Sequence, residues 1–401
     1  MQQLYEDEGF QFATLIALGS VYRGLADVGE VLSTIGRVPE GDREAWVREF
    51  TATADRLAAA ADASEQAGHL VSARTARLRA SSYYELASTM APGTSDPDRF
   101  HTLWERHREL WDRTLDGAPE AAIEKVSIPY EGTTLEGYWF APRDSGGAGG
   151  RRPTIVLNNG SDGPVHAMWL QGGAAAVARG WNAMTFDGPG QGAALHRGHL
   201  YFRHDWEAVI TPVLDFVLAR DDVDPDRVVL HGVSQAGYWV PRAAAFEHRL
   251  AAIVADPGVV DVSTSWMVHL PPEMQEMLDD DTQQETFDEL MRSVPPAQLG
   301  VLQWRMAPYG KDSSFDAYRA AMRMRLDDET IAAIRCPTLV TDPDHEQFWP
   351  GQSRQLYDKL TCEKELVRFT EEEGASWHCE PVAMGLRDER VFDWLEDVIT
   401  R

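Results

Sequence analysis

Cysteine, lysine and long apolar runs are all scarce in this chain, and the first and last of these shortages each argue against a class of protein. The three cysteines, Cys336, Cys362 and Cys379, among 401 residues have no metal-ligand spacing and would leave one unpaired if two joined. Reduced thiols are expected, rather than a disulfide scaffold or a metal site. Lysine occurs only at Lys125, Lys311, Lys359 and Lys364, so nearly all positive charge is arginine, and no function follows from that. Basic residues number 37 against 64 acidic ones, a net charge of -27. Long-range repulsion then disfavours nucleic acid and anionic membranes as partners. No stretch approaches the roughly eighteen apolar residues that span a bilayer. The opening MQQLYEDEGF has no basic segment followed by an apolar one, so a cytoplasmic protein is expected. Neither an internal repeat nor a low-complexity tract interrupts the chain.

What is present suits one large α/β domain with added helical parts. From about residue 8 to 117 apolar residues recur at helical spacing, as in Val21, Leu25, Val28 and Leu32, and predict an N-terminal helical domain over 1–122. Asp96 followed by Pro97 suits the start of its last helix. Near residue 126 the pattern becomes VSIPYEGTTLEGYWFAP, two strands broken at Glu131-Gly132. After the glycine-rich DSGGAGGRR at 144–152, short apolar runs alternate with helical stretches: TIVLN, NAMTF, RVVLHG, AAIVAD, PTLVTD and ELVRF. Runs of this kind predict a mainly parallel central sheet flanked by helices, its core divided into 123–261 and 331–401. The interval 262–330 is too long for a connection. Its methionines, with Trp266 and Trp304, suggest a helical cap over a pocket, with a merely packed insertion as the alternative.

One segment carries chemistry. VVLHGVSQAGYWV, residues 228–240, reads as a strand, a tight turn and a helix with Ser234 at the turn, close to G-x-S-x-G except that Ala236 stands where the last glycine belongs. Small residues are needed there because the nucleophile's backbone is strained. Pro241 is a second departure and should kink the helix, at a cost of roughly 3 kcal/mol. A serine hydroxyl needs a base, and the base an acid to orient it, in the chain order serine, acid, histidine. His378 in GASWHCEP follows the last predicted strand and is the favoured base, with His345 and His269 as alternatives. Three carboxylates follow the preceding strand: Asp342, Asp344 and Glu346. Hydrolases of this type commonly have the acid nine places after a proline and four before another. Pro337 and Pro350 both select Glu346, with Asp342 and Asp344 left open. The amide of Gln235 and one from Gly160 or Ser161 in NNGSDG are the expected donors to a developing oxyanion. DGPGQG (187–192) has neither the lysine of a P-loop nor a G-x-G-x-x-G opening a helix. It is therefore read as a tight turn in which Asp187 and Gln191 brace neighbouring loops, and no nucleotide cofactor is expected.

RGWNAMTFDGPGQG, the Ser234 segment and SWHCEP together resemble the α/β-hydrolases that include 2,6-dihydroxypseudooxynicotine hydrolase, the polyketide-shortening pigment hydrolase and the fermentation-respiration switch protein. Similarity extends over about 126–400. The resemblance implies a cofactor-free, metal-free serine hydrolase with Ser234 and His378 at the motif positions, a helical leader and a homodimer. It also implies a small carbonyl substrate: an ester, a lactone or a carbon-carbon bond next to a ketone, on an aromatic or polyketide compound of secondary metabolism. Tyr238, Trp239 and Trp169 are candidate aromatic walls for that substrate. A non-hydrolytic cyclase or acyl transferase on the same fold is the alternative.

Overall fold

The computed structural model describes residues 3–143 and 150–400, so most of the glycine-rich stretch at 144–152 lies outside the described residues. The chain divides into two compact units. One comprises 1–118 with 294–305 and 381–384, the other 119–293, 306–380 and 385–401.

The first unit is helical: Glu8–Gly19, Val28–Ile35, Arg43–Gln66, Leu70–Met90 and Arg99–Asp112. Aspartates start three of these helices, where the Asp7, Asp27 and Asp42 carboxylates accept from Phe10, Gly29 and Ala45 amides that would otherwise have no partner. The last helix starts at Arg99, two residues beyond the expected proline, with Asp98 at the cap position and no side-chain bond to it. Buried aromatic rings form the core, Trp46 lying 5.2 Å from Phe10 and 4.6 Å from Phe50. Residues 294–305, expected in the cap, cluster with this unit instead, and Trp304 packs edge-on against Phe100 at 5.9 Å.

The second unit is built on eight strands: β1 Ala121–Tyr130, β2 Thr133–Pro142, β3 Arg152–Asn158, β4 Asn182–Phe186, β5 Val223–Val233, β6 Ala252–Asp256, β7 Thr338–Pro343 and β8 Lys364–Phe369. Their order across the sheet is β1-β2-β4-β3-β5-β6-β7-β8. β1 and β2 form a hairpin in which Tyr130 faces Thr133. Glu131 and Gly132 both have positive φ, 40° and 82°, the left-handed pair that a two-residue turn matched to strand twist requires. β2 runs antiparallel to β4, and every later pairing is parallel. All five residues of β4 and of β6 are buried, as expected for strands covered on both faces.

The chain steps from β3 outward to β4, then returns to the other side of β3 as β5. Neighbouring loops therefore leave in opposite directions at the carboxyl ends of β3 and β5, where open α/β sheets form their crevice. The interval after β6 is helical, with Thr264–Met267, Pro272–Met277, Gln284–Arg292 and Ser314–Met322 in the second unit. Its ends are tied together by Val262 N–H to Met324 O at 3.0 Å and Leu326 N–H to Val260 O at 2.8 Å. Trp266 lies 5.3 Å from Tyr309 and 5.1 Å from Tyr318, and Phe287 lies 5.5 Å from Tyr318, so these helices share an aromatic core.

Candidate active site

Ser234 stands between β5 and the helix Ala236–Ala244 with φ at +61°, a left-handed conformation that costs a non-glycine residue roughly 1–2 kcal/mol. Sheet bonding on one side holds it there: its N–H donates to Asp256 O at 2.6 Å, one rung beyond the β5–β6 ladder. On the other side its carbonyl accepts from Gly237 N–H at 2.8 Å.

The displaced glycine has a steric reason. A Cβ at Gly237 would lie 1.8 Å from Pro257 O, a backbone atom that cannot swing away, while Ala236 is fully buried with its methyl accommodated. The position after the serine that tolerates no side chain is thus one residue later than G-x-S-x-G supposes. The helix also runs through Pro241 to Ala244. Pro241 cannot donate to the carbonyl four residues back, but that carbonyl, Gly237 O, accepts from Val259 N–H at 3.3 Å. A partner outside the helix offsets part of the expected cost.

Two side chains distant in sequence, His378 and Glu346, converge at Ser234. His378 Nε2 lies 2.9 Å from Ser234 Oγ, and His378 Nδ1 lies 2.7 Å from Glu346 Oε2. The other carboxylate oxygen of Glu346 accepts from the Phe348 and Trp349 amides at 2.9 and 3.1 Å, which fixes the plane of the group. His378 and Glu346 are both buried, and the Phe348 ring meets the imidazole edge-on at 4.7 Å. The other carboxylates lie elsewhere. Asp344 is exposed and pairs with Arg368. Asp342 sits within β7 in register with Arg368, its carboxyl raised above its ordinary pKa chiefly by burial. His345 is exposed beside Glu371, and His269 is exposed in the insertion.

Sequence reasoning missed Asp256. Its carbonyl accepts from both Ser234 N–H and the Cys379 thiol, the latter at 3.3 Å, so one oxygen anchors the turn under the serine and the turn after the histidine. The carboxylate at the end of an otherwise apolar strand was its only signal. Burial works to raise its pKa, but His231 and Arg387 outweigh that and hold it below its usual value. Cys379 and Glu380 both have positive φ, 56° and 47°. Glu380 is fully buried, and burial followed by the Asp256 charge pushes its carboxyl well above the usual carboxylate range.

The expected donors are arranged unequally. Gln235 precedes the first turn of its helix, where backbone N–H groups lack intrahelical acceptors. Gly160 adjoins the serine so closely that a Cβ on it would lie 2.7 Å from Ser234 Cβ. Its own N–H, however, donates to Asn159 Oδ1 at 2.8 Å, so of the two amides considered in this loop Ser161's is the one left without an acceptor among the described residues. The aromatic residues proposed as walls lie in the core. Trp239 is fully buried and stacked on Trp206 at 4.1 Å. Tyr238 is buried with its hydroxyl donating to His204 O at 2.8 Å, and Trp169 packs 5.2 Å from Phe140 of β2. A cleft of about 930 Å³ reaches the loop after β7, with Phe348, Gln347 and Val260 among its lining. Among the described residues no group of three His, Cys, Asp or Glu is arranged to hold a metal ion, and no helix is long and apolar enough to cross a membrane.

No family model matches the chain. It is 30% identical to the hydrolase LUC6 of Fusarium sp over an alignment covering 99% of this chain and 98% of that protein. Identity is again 30% with the alpha/beta hydrolase psoB of Aspergillus fumigatus, covering 96% and 92%. The chain belongs to the α/β-hydrolase family. Among solved α/β-hydrolases, 2,6-dihydroxy-pseudo-oxynicotine hydrolase superposes with a TM-score of 0.73 at 18% identity, covering 95% of each chain. The shared fold extends through the helical N-terminal region. The loops after β3, β5, β7 and β8 supply the polar groups described above.

Proposed function

We propose that this α/β-hydrolase is a serine hydrolase acting on a small carbonyl compound through Ser234, His378 and Glu346. The observation that carries the reading is the pair of contacts at 2.9 and 2.7 Å linking hydroxyl, imidazole and carboxylate in series. With Glu346 accepting from Nδ1–H, the neutral imidazole presents an unprotonated Nε2 to the hydroxyl, as a general base must. Ser234 Oγ attacks the carbonyl carbon as its proton passes to Nε2, and the imidazolium that results is stabilised by Glu346. The carbonyl oxygen becomes an oxyanion facing the Gln235 and Ser161 amides. As the tetrahedral intermediate collapses, His378 returns the proton to the leaving group, an alkoxide in an ester or a stabilised carbanion in a ketone. Water then repeats the sequence to release the acid. Hydrolase names among the relatives support the same reaction class.

Substrates taken from the resemblance are esters, lactones and carbon-carbon bonds beside a ketone on aromatic or polyketide compounds of secondary metabolism. The helices after β6 are proposed as a cap, supported by the contact of Gln235 Nε2 with Met324 Sδ at 3.7 Å. A homodimer completes the reading, supported by exposed Tyr22, Val28 and Leu32 on the helical unit and tested by light scattering, and the location proposed for it is the cytoplasm. Catalysis is tested with p-nitrophenyl esters and aromatic 1,3-diketones. Turnover and fluorophosphonate labelling are expected to disappear in Ser234→Ala, and turnover that survives the substitution refutes the nucleophile.

A further inference from the structure

DGPGQG has so far served only as a turn, yet its glutamine reaches the loop beside the serine. Gln191 is buried, and its Oε1 accepts from Gly188 N–H at 2.9 Å, within its own turn. That bond settles which end of the side-chain amide is oxygen, so the NH2 group faces the other way. There it donates to two consecutive carbonyls of the loop after β3, Asn159 O at 2.7 Å and Gly160 O at 2.5 Å. The Asp187 carboxylate anchors the turn by accepting from Ala193 N–H at 2.9 Å. β3 and β4 lie side by side, Asn158 opposite Phe186, so the two loops leave the sheet as neighbours.

A peptide group is planar and trans, so a carbonyl and the N–H of the next residue belong to one rigid plate and point in opposite directions. Holding Gly160 O therefore orients Ser161 N–H away from Gln191, and holding Asn159 O orients Gly160 N–H. We propose that Gln191 is a positioning residue that aims the Ser161 amide at the oxyanion, making DGPGQG part of the catalytic machinery at second hand. The inference rests on the serine-hydrolase reading and adds to it the origin of one donor's direction.

Gln191→Met and Gln191→Glu test it with p-nitrophenyl acetate as substrate and an aryl boronic acid as inhibitor. The boronate forms a tetrahedral adduct on serine and places an oxygen where the oxyanion would be. Methionine removes the donor without adding charge, while glutamate sets an oxygen against two carbonyl oxygens. Removing an oxyanion donor outright costs about 10²–10³ in kcat, and misaiming one should cost about 10–100-fold. The expected result is that loss in kcat, a matching rise in the boronate inhibition constant and KM within twofold, in a protein that is still folded at the assay temperature although its melting temperature falls because buried partners of Gln191 lose their bonds. A kcat and inhibition constant that stay at wild-type values overturn the proposal. So does a fall in kcat that comes with unfolding at the assay temperature and a rise in KM. If glutamate prevents folding, the methionine variant decides alone. Ser234→Ala in parallel separates the two levels: activity surviving there removes the serine reading, whereas a dead Ser234→Ala beside normal Gln191 variants removes only the positioning role.

Discussion

Replacing Glu346 by glutamine should damage the enzyme more than replacing it by alanine. Oε1 of Glu346 accepts two backbone amides, from Phe348 and Trp349, and Oε2 faces His378 Nδ1 at 2.7 Å. A glutamine has one oxygen and one NH2 for these two places. With the oxygen kept at the amides, NH2 points at Nδ1, which must then be unprotonated. The proton moves to Nε2, and the imidazole can no longer take one from Ser234. The opposite orientation leaves two amides facing an NH2, at about 1–3 kcal/mol for each unsatisfied donor. The unproductive orientation is therefore favoured by roughly 2–6 kcal/mol, which at 1.36 kcal/mol per decade lowers kcat by about 30-fold to about 25,000-fold. Alanine leaves space that water can enter and lets the imidazole choose its tautomer, so its loss should be about tenfold or more smaller. Steady-state kinetics on a p-nitrophenyl ester gives the order. A Glu346→Gln enzyme as active as Glu346→Ala, or an Asp342→Asn enzyme that is the inactive one, refutes the assignment of the orienting acid.

Three further outcomes are expected. Gly237→Ala meets Pro257 O at 1.8 Å and should destabilise by about 1–3 kcal/mol or more, whereas Ala236→Gly should change stability by about 1 kcal/mol at most; thermal melts of both show whether the glycine is needed at 237. Glu380 has its folded pKa raised, so its stabilising contribution is full below the unfolded value near 4.5 and is lost as pH rises toward the folded one. Glu380→Gln should remove that downward slope, at most about 1.4 kcal/mol per pH unit, in denaturant titrations carried upward from pH 4.5; parallel wild-type and variant curves contradict it. Cys379 is buried with its thiol pKa raised, chiefly by burial, so iodoacetamide followed by peptide mapping should leave it unmodified in the native protein. Modification as fast as at Cys362 would be the contrary result.

Most of the sheet was legible because its strands are apolar on both faces and separated by helices: each expected run coincides with a strand, and the Glu131-Gly132 break is the hairpin turn. Of the site, the elements visible in sequence were those whose chemistry is confined to one residue type at a punctuated position, such as Ser234 after a strand or Glu346 spaced between two prolines. What stayed hidden depends on the partner. Nothing local distinguishes a Gly160 amide that is engaged by its neighbour's side chain from a Ser161 amide that is not. Aromatic residues beside the serine read equally as pocket wall or core, and stacking of Trp239 on Trp206 decides for core. The division of 262–330 was also invisible, since 294–305 joins the helical unit although its composition matches its surroundings.

The strand register explains why residues so far apart meet at the serine. β3 and β5 run parallel with Asn158 opposite Gly232, so two residues further along each chain Gly160 comes beside Ser234, where only a hydrogen fits. β5 and β6 are in register with Val233 opposite Asp256, so the next amide, Ser234 N–H, makes one more ladder bond before φ turns positive. β7 and β8 pair Pro343 with Phe369, and a bridge between His345 and Trp377 extends that pairing to the residues flanking Glu346 and His378. Each proposed catalytic side chain is thus within one or two residues of a backbone contact that continues the sheet or a bridge beyond it. Placement then comes from peptide hydrogen bonds, and a departure such as Ala236 is absorbed because the strand, not the consensus glycine, holds the serine.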